Sequence, residues 1–168
     1  MNPSYIRIRT PMSDAMARYA AFVGTPEIEP PTELDYGDSV RFACDGLDWR
    51  GMAVFVYENG EWTIFEDLSG HCGGRAAEAW LRFANSDDFV FAGYNDSIGY
   101  GELIVIRNRV IEREFLYDKE SPEANADRGR LQEEGIEPIK SWIQVARFVD
   151  EDDLLLGERG LLWIHQPW

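Results

Sequence analysis

Gly51-Met52-Ala53-Val54-Phe55-Val56-Tyr57-Glu58-Asn59-Gly60-Glu61-Trp62-Thr63-Ile64-Phe65 reads as two apolar strands around a turn. Asn-Gly suits a type I′ hairpin, which needs positive φ at both central residues. Centring the turn on Asn59-Gly60 pairs Tyr57 with Trp62, Val56 with Thr63, Phe55 with Ile64 and Val54 with Phe65. Successive side chains alternate between faces, so both faces of this hairpin come out apolar. It therefore belongs inside a sheet that is covered on both sides, with helices on one of them.

Working outward, the spacing predicts a short strand at Tyr5 to Arg9, with Ile6 and Ile8 on one face. A helix follows from Asp14 to about Val23, with Ser13 as N-cap, Met16, Tyr19, Ala20 and Val23 as its apolar stripe, and Gly24 closing it. Thr25 to Gly37 holds Pro26, Pro30 and Pro31 among acids and reads as an extended surface loop. After a glycine loop at Gly70, Gly73 and Gly74, a helix from Arg75 to Ala84 turns Trp80 and Leu81 inward.

Asp88 to Tyr94 is a further strand, and Glu102 to Arg107 with Val110 to Phe115 forms a second hairpin around Asn108-Arg109. Glu112, Arg113 and Glu114 interrupt the apolar run of its return strand, which places that strand near an exposed edge. Tyr117 to Gly135 is a long polar loop with a short helix near Arg130 to Glu134. Pro138 opens a helix whose apolar stripe is Ile139, Trp142, Ile143, Ala146 and Val149, and Leu161 to His165 is the last strand. The expected fold is one α+β domain over residues 1–168: a mostly antiparallel sheet of two hairpins and flanking strands, packed by about three helices.

Charge narrows the partners. The chain carries 31 acidic and 16 basic residues, a net charge of −15. That field repels nucleic acid and anionic membranes and attracts basic proteins. The start of the chain lacks an apolar leader region, and no stretch approaches the ~20 apolar residues of a membrane span. Cys44 and Cys72 are too few for a disulfide framework and read as reduced, buried thiols. The expected location is cytoplasmic; the oligomeric state is left open.

Motifs for chemistry are sparse. Asp67, Ser69, His71 and Cys72 crowd one loop and Asp96 sits in another, the raw material for a small hydrolase-like enzyme. Yet His71 and Cys72 are adjacent, which directs their side chains apart, and a solvent-exposed His in a structural turn explains them as well. Only two histidines, His71 and His165, are present, and no metal-binding spacing appears, so neither metal nor cofactor is expected. Gly70-x-x-Gly73-Gly74 before a helix has the outline of an anion cradle but lacks a phosphate-binding lysine.

Two segments suit partner binding. Gly93 to Gly101 joins two strands and offers Tyr94, Asp96 and Tyr100; tyrosine gives contact area at small entropic cost. Asp150, Glu151, Asp152 and Asp153 follow a helix end, where four adjacent carboxylates do not favour stability. The general character is small, very acidic, aromatic-rich and motif-poor. It suits a non-enzymatic bacterial immunity or antitoxin-like inhibitor that captures a basic protein. A regulatory or structural subunit docking through Trp168 or the tyrosine loop is the third reading.

Overall fold

A computed structural model describes residues 4–46, 48–135, 137–149 and 158–167. In chain order the elements are β1 (Ser4–Ile8), α1 (Met12–Val23), β2 (Glu27–Asp35), α2 (Tyr36–Ala43), β3 (Cys44–Asp45), β4 (Asp48–Trp49), β5 (Met52–Asn59) and β6 (Trp62–Asp67). They continue with α3 (Ala77–Ala84), β7 (Phe89–Asn95), β8 (Tyr100–Arg107), β9 (Val110–Tyr117), β10 (Ala126–Gly129), α4 (Trp142–Val149) and β11 (Arg159–His165). Single 3-10 turns occupy Pro122–Ala124 and Gln132–Glu134.

Among the described residues nine strands form one sheet in the order β10-β9-β8-β7-β1-β6-β5-β11-β2, and every neighbouring pair is antiparallel. The fold is α+β, as the sequence predicts. Both hairpins lie in this sheet, on either side of β1. One face is a continuous core under α1 and α3, built from Ile6, Ile8, Val54, Val56, Phe65, Phe89, Phe91, Ile104 and Ile106 with Tyr19 and Trp80 above them. The other face divides in two. Ala92, Leu103, Val105 and Phe115 pack with Val145 of α4, while Ala53, Phe55, Leu162 and Ile164 pack with Ala43 of α2.

The first hairpin forms two residues away from its expected register. Asn59 pairs with Trp62 and Tyr57 with Ile64, so the central turn residues are Gly60 and Glu61. Only Gly60 has positive φ, +60°, the pattern of a II′ turn with glycine first. A shift of two leaves every side chain on its own face, so apolar patterning cannot tell the two registers apart. The second hairpin follows the I′ rule, with Asn108 and Arg109 at φ 51° and 63°.

Other expectations need correction. Thr25 to Gly37 is not a loop: most of it is β2, an edge strand paired to β11. An edge strand needs a ladder on one side only, which tolerates proline and charge. Leu162 pairs with Thr32 but Ile164 with Glu29, so the extra residue on β2 falls at Pro30-Pro31. Gly37 belongs to α2, which the sequence reading missed; Asp35 caps it by accepting from the Asp38 N–H at 2.8 Å.

In α1 the helix begins at Met12, and the Pro11 carbonyl, not Ser13, receives the first N–H groups. Gly24 closes it with φ 68° as expected. Pro138 precedes α4 rather than opening it, and Gln144 bridges the gap by accepting from the Lys140 N–H and donating to the Pro138 carbonyl. Ile143 is exposed, and Val145 takes the inward place. Gly101 allows α4 to lie directly on β8, since a Cβ there would sit 2.7 Å from the Trp142 Cα.

The return strand β9 is not an edge, because β10 covers it. Arg113, expected outside, is fully buried. Its guanidinium donates to the carbonyls of Glu114, Arg128 and Ile139 at 3.0–3.2 Å. It also pairs with Asp127 at 2.7 Å, and its Nε stands 2.9 Å from a Glu134 carboxylate oxygen. Glu134 in turn accepts from the N–H groups of Leu131 and Ile139, both at 2.8 Å. Beside the β10 ladder and the buried Leu131 and Ile139, this network ties residues 126–135 and 137–139 to the sheet.

Removing one partner of a buried pair leaves the other charge stranded. Arg113→Met is therefore expected to cost about 3–5 kcal/mol. Asp127→Asn removes a carboxylate that is 56% exposed and is expected to cost under about 1 kcal/mol. Urea unfolding of the two variants checks the order.

Candidate functional site

A single row of residues crosses the sheet near one end of four central strands. The register sets Ser4 opposite Gly93, and Gly93 opposite Glu102. On the other side Tyr5 faces Glu66, and the next position brings Ser4 beside Asp67, whose carboxylate accepts the Ser4 hydroxyl at 3.1 Å. The row reads Asp67, Ser4, Gly93, Glu102, all on the face that carries α1 and α3. At about 4.8 Å per strand, the two acid-bearing strands lie about 14 Å apart. The two residues between them are small, and a recess of about 240 Å³ opens there. Phe91 and Gly93 line it from the sheet, Gly70, Gly73 and Gly74 from one loop, and Tyr100 and Asp118 also border it.

Both carboxylates are buried, and both hold the glycine loop. Asp67 accepts from the N–H groups of Ser69, Gly70 and Cys72 at 2.7–3.2 Å and from the Ser69 hydroxyl at 3.1 Å. Glu102 accepts from the Gly74 N–H at 2.8 Å and from the Tyr100 hydroxyl through the same oxygen. The loop amides that could cradle a phosphate thus hold the chain's own carboxylates, and the anion-cradle outline has a structural explanation.

Burial pushes the Glu102 carboxyl up to about 7, against the lowering effect of its two hydrogen bonds. Burial and the Glu102 charge together push the Tyr100 hydroxyl far above its ordinary value. Glu102 therefore changes charge near neutrality, beside a cavity, with a tyrosine proton donor fixed against it.

The residues expected to bind a partner are distributed unevenly. Tyr100 turns into the recess. Tyr94 touches its rim, but its ring stacks on Trp142 of α4 at 6.0 Å and 17°, towards the opposite face. Asp96 is exposed on the connection between β7 and β8. Asp150, Glu151, Asp152 and Asp153 lie outside the described residues, as does Trp168.

Sequence reading missed Glu102, Ser4 and Asp118. The available signal for Glu102 was an acid at the head of the apolar run Leu103 to Ile106, which a central strand must bury.

The His71 and Cys72 pair does not assemble. Cys72 lies in the core, its sulfur 3.7 Å from the Tyr19 hydroxyl, and burial followed by the Asp67 charge raises its thiol well above the usual range. A protonated, buried thiol is not a nucleophile. Among the described residues His71 makes no hydrogen bond to Cys72, and Cys44 and Cys72 are both free thiols. No helix among the described residues is long and apolar enough to cross a membrane. No protein family, characterised protein or solved structure matches this chain.

The raised pKa of Glu102 has a definite linkage to stability. Below about pH 4.5 Glu102 is protonated in folded and unfolded chains alike. Between 4.5 and about 7 the unfolded chain releases a proton that the folded chain keeps, so this residue's contribution to stability falls with rising pH and levels off above 7. Replacing Glu102 by Gln removes that slope. The stability of the native chain relative to Glu102→Gln is expected to fall by on the order of 3 kcal/mol across this window. Chemical denaturation at a series of pH values measures it.

Proposed function

We propose that this chain is a non-enzymatic binding protein that captures a basic protein partner, in the manner of an immunity or antitoxin-like inhibitor. A lysine or arginine of the partner enters the recess at Glu102 and Tyr100. The observation that carries this reading is the recess itself: among the described residues no Lys or Arg lines it, Asp118 stands at its lip, and Glu102 waits behind Tyr100. A cation there gains a carboxylate in a low-dielectric setting, where attraction is stronger than at the open surface. Asp96 and Glu120 are exposed on the adjoining segments, and the net charge of −15 steers cations towards the molecule.

Charge elsewhere is partly offset. On the edge strand Glu29 pairs with Arg50 at 2.6 Å and Glu33 with Arg159 at 2.8 Å, and on α2 Asp38 pairs with Arg41. The reading therefore rests on the recess for specificity and on the net field for approach rate. The hydrolase-like alternative draws no support from a buried, protonated Cys72 or from an Asp67 whose oxygens are taken up by the glycine loop.

The test uses a short arginine-containing peptide as probe, followed by amide chemical shifts. Shifts are expected to concentrate at Gly73, Gly74, Tyr100 and Asp118. Affinity is expected to rise as pH passes upward through about 7, because the bound cation favours ionised Glu102. Glu102→Gln should weaken binding by about tenfold and flatten that pH dependence, an effect of about 1.4 kcal/mol. Shifts scattered evenly over the acidic surface, with Glu102→Gln indistinguishable from the native chain, would sink the reading.

A further inference from the structure

The sheet face that bears the acidic recess carries a second cavity of opposite character. A groove of about 560 Å³ runs between α1 and α3, within the size range of small-molecule sites. Arg18, Arg75 and Arg82 line it together with Phe22 and Phe83, and among the described residues no acid does. In a chain with about twice as many acids as bases, three guanidiniums on one groove run against the prevailing charge.

Arg18 and Arg75 are placed by different contacts. Arg18 is held by Asp87 at 2.6 Å and by the Ala84 carbonyl at 3.2 Å. Arg75 lies over the Phe22 ring, 4.9 Å from its centre. Arg82 is exposed on α3 and makes no ion pair with any described residue, although Glu78 stands one turn before it.

A fourth guanidinium reaches the same rim. Arg109, in the turn between β8 and β9, donates to the Asn85 carboxamide oxygen at 3.3 Å, and Asn85 lines the groove. Asn85 is held at φ 56° and ψ −101°, outside the left-handed basin that asparagine ordinarily enters. Backbone strain of this kind persists where surrounding structure over-determines it, and it gathers at ligand sites. Asp87 answers Arg18, whereas Arg82 stands at the groove without an ion pair among the described residues. An anion in the groove supplies the counter-charge that Arg82 lacks.

We infer that the groove binds a small phosphomonoester with a flat apolar body. Guanidinium forks match phosphate oxygens in geometry as well as charge. The walls at Phe22, Phe83, Ala21 and Ala79 take the apolar part. The negative field over the rest of the molecule keeps anions away from other surfaces, so occupancy is confined to this groove. The site is separate from the Glu102 recess, and it stands or falls independently of the proposed capture of a basic partner.

Phenyl phosphate is the probe, with inorganic phosphate for comparison, in calorimetric titration of the full chain. Saturable binding is expected for phenyl phosphate, with inorganic phosphate weaker by about tenfold because it leaves the aromatic wall unused. Arg82→Ala, a surface change, is expected to weaken phenyl phosphate by about tenfold or more, while Arg41→Ala, on α2, leaves it unchanged. Absence of saturable binding, equal affinity in the native and Arg82→Ala chains, or equal affinity for the two phosphates would overturn the assignment. Capture by phosphatidic acid vesicles or by an acidic peptide, without a response to phenyl phosphate, would also overturn it and place the anion on a lipid or a protein.

Discussion

Strand β1 is the constraint on which the rest depends. Its five residues pair on one side with β6, the inner strand of the first hairpin, and on the other with β7, which carries the second hairpin through β8. Without it, β2-β11-β5-β6 and β7-β8-β9-β10 are two separate ribbons. Ile6 and Ile8 are completely buried under α1 and α3. A slip of one residue would exchange them with Tyr5 and Arg7, so burial specifies the register strongly. The same register puts Ser4 between Asp67 and Gly93. The small residue that opens the recess and the apolar residues that close the core are thus positioned by one strand.

Buried charge is used to hold irregular backbone. The glycine loop at 70–74 has no ladder partners, and its N–H groups are satisfied by Asp67 and Glu102. Residues 126–135 and 137–139 are tied down by Arg113, which supplies donors to carbonyls, and by Glu134, which accepts from two N–H groups. Unpaired backbone groups in a buried setting are costly, so a long ionic side chain that serves several of them at once repays its own desolvation. Part of the acid excess is therefore structural rather than a surface field. Glu102 differs from the others because its position leaves it beside a cavity with a charge that changes near neutrality.

The strands were legible because apolar alternation is a local property. The first hairpin, β1, β7, β8 and β11 all follow from it, as do the helical stripes at Tyr19 and Trp80. The misreadings share a cause. Glu27 to Asp35 has a loop's composition and became a strand only because β11 offered it an edge. Arg113 and Glu102 are charged residues in apolar runs, and charge is ordinarily a surface signal. Their burial depends on partners 21 and 28 residues away in sequence, Glu134 and Gly74, which no local pattern reveals. The groove arginines were equally hidden, since Arg18 stands on one segment and Arg75 and Arg82 on another, while Arg109 reaches Asn85 from a third.

By itself the amino-acid order determined an α+β chain with a central apolar hairpin, an inward Tyr19 and Trp80, and a large negative charge. These are properties of residue type and of spacing along a strand or helix turn, which do not require knowledge of distant neighbours. Strand order, the two-residue choice of hairpin register, the acid–serine–glycine–acid row and the gathering of arginines between α1 and α3 were settled only on folding. Each is a relation between residues far apart in the chain, and the sheet ladder and core packing that create it exist only when all the strands are assembled.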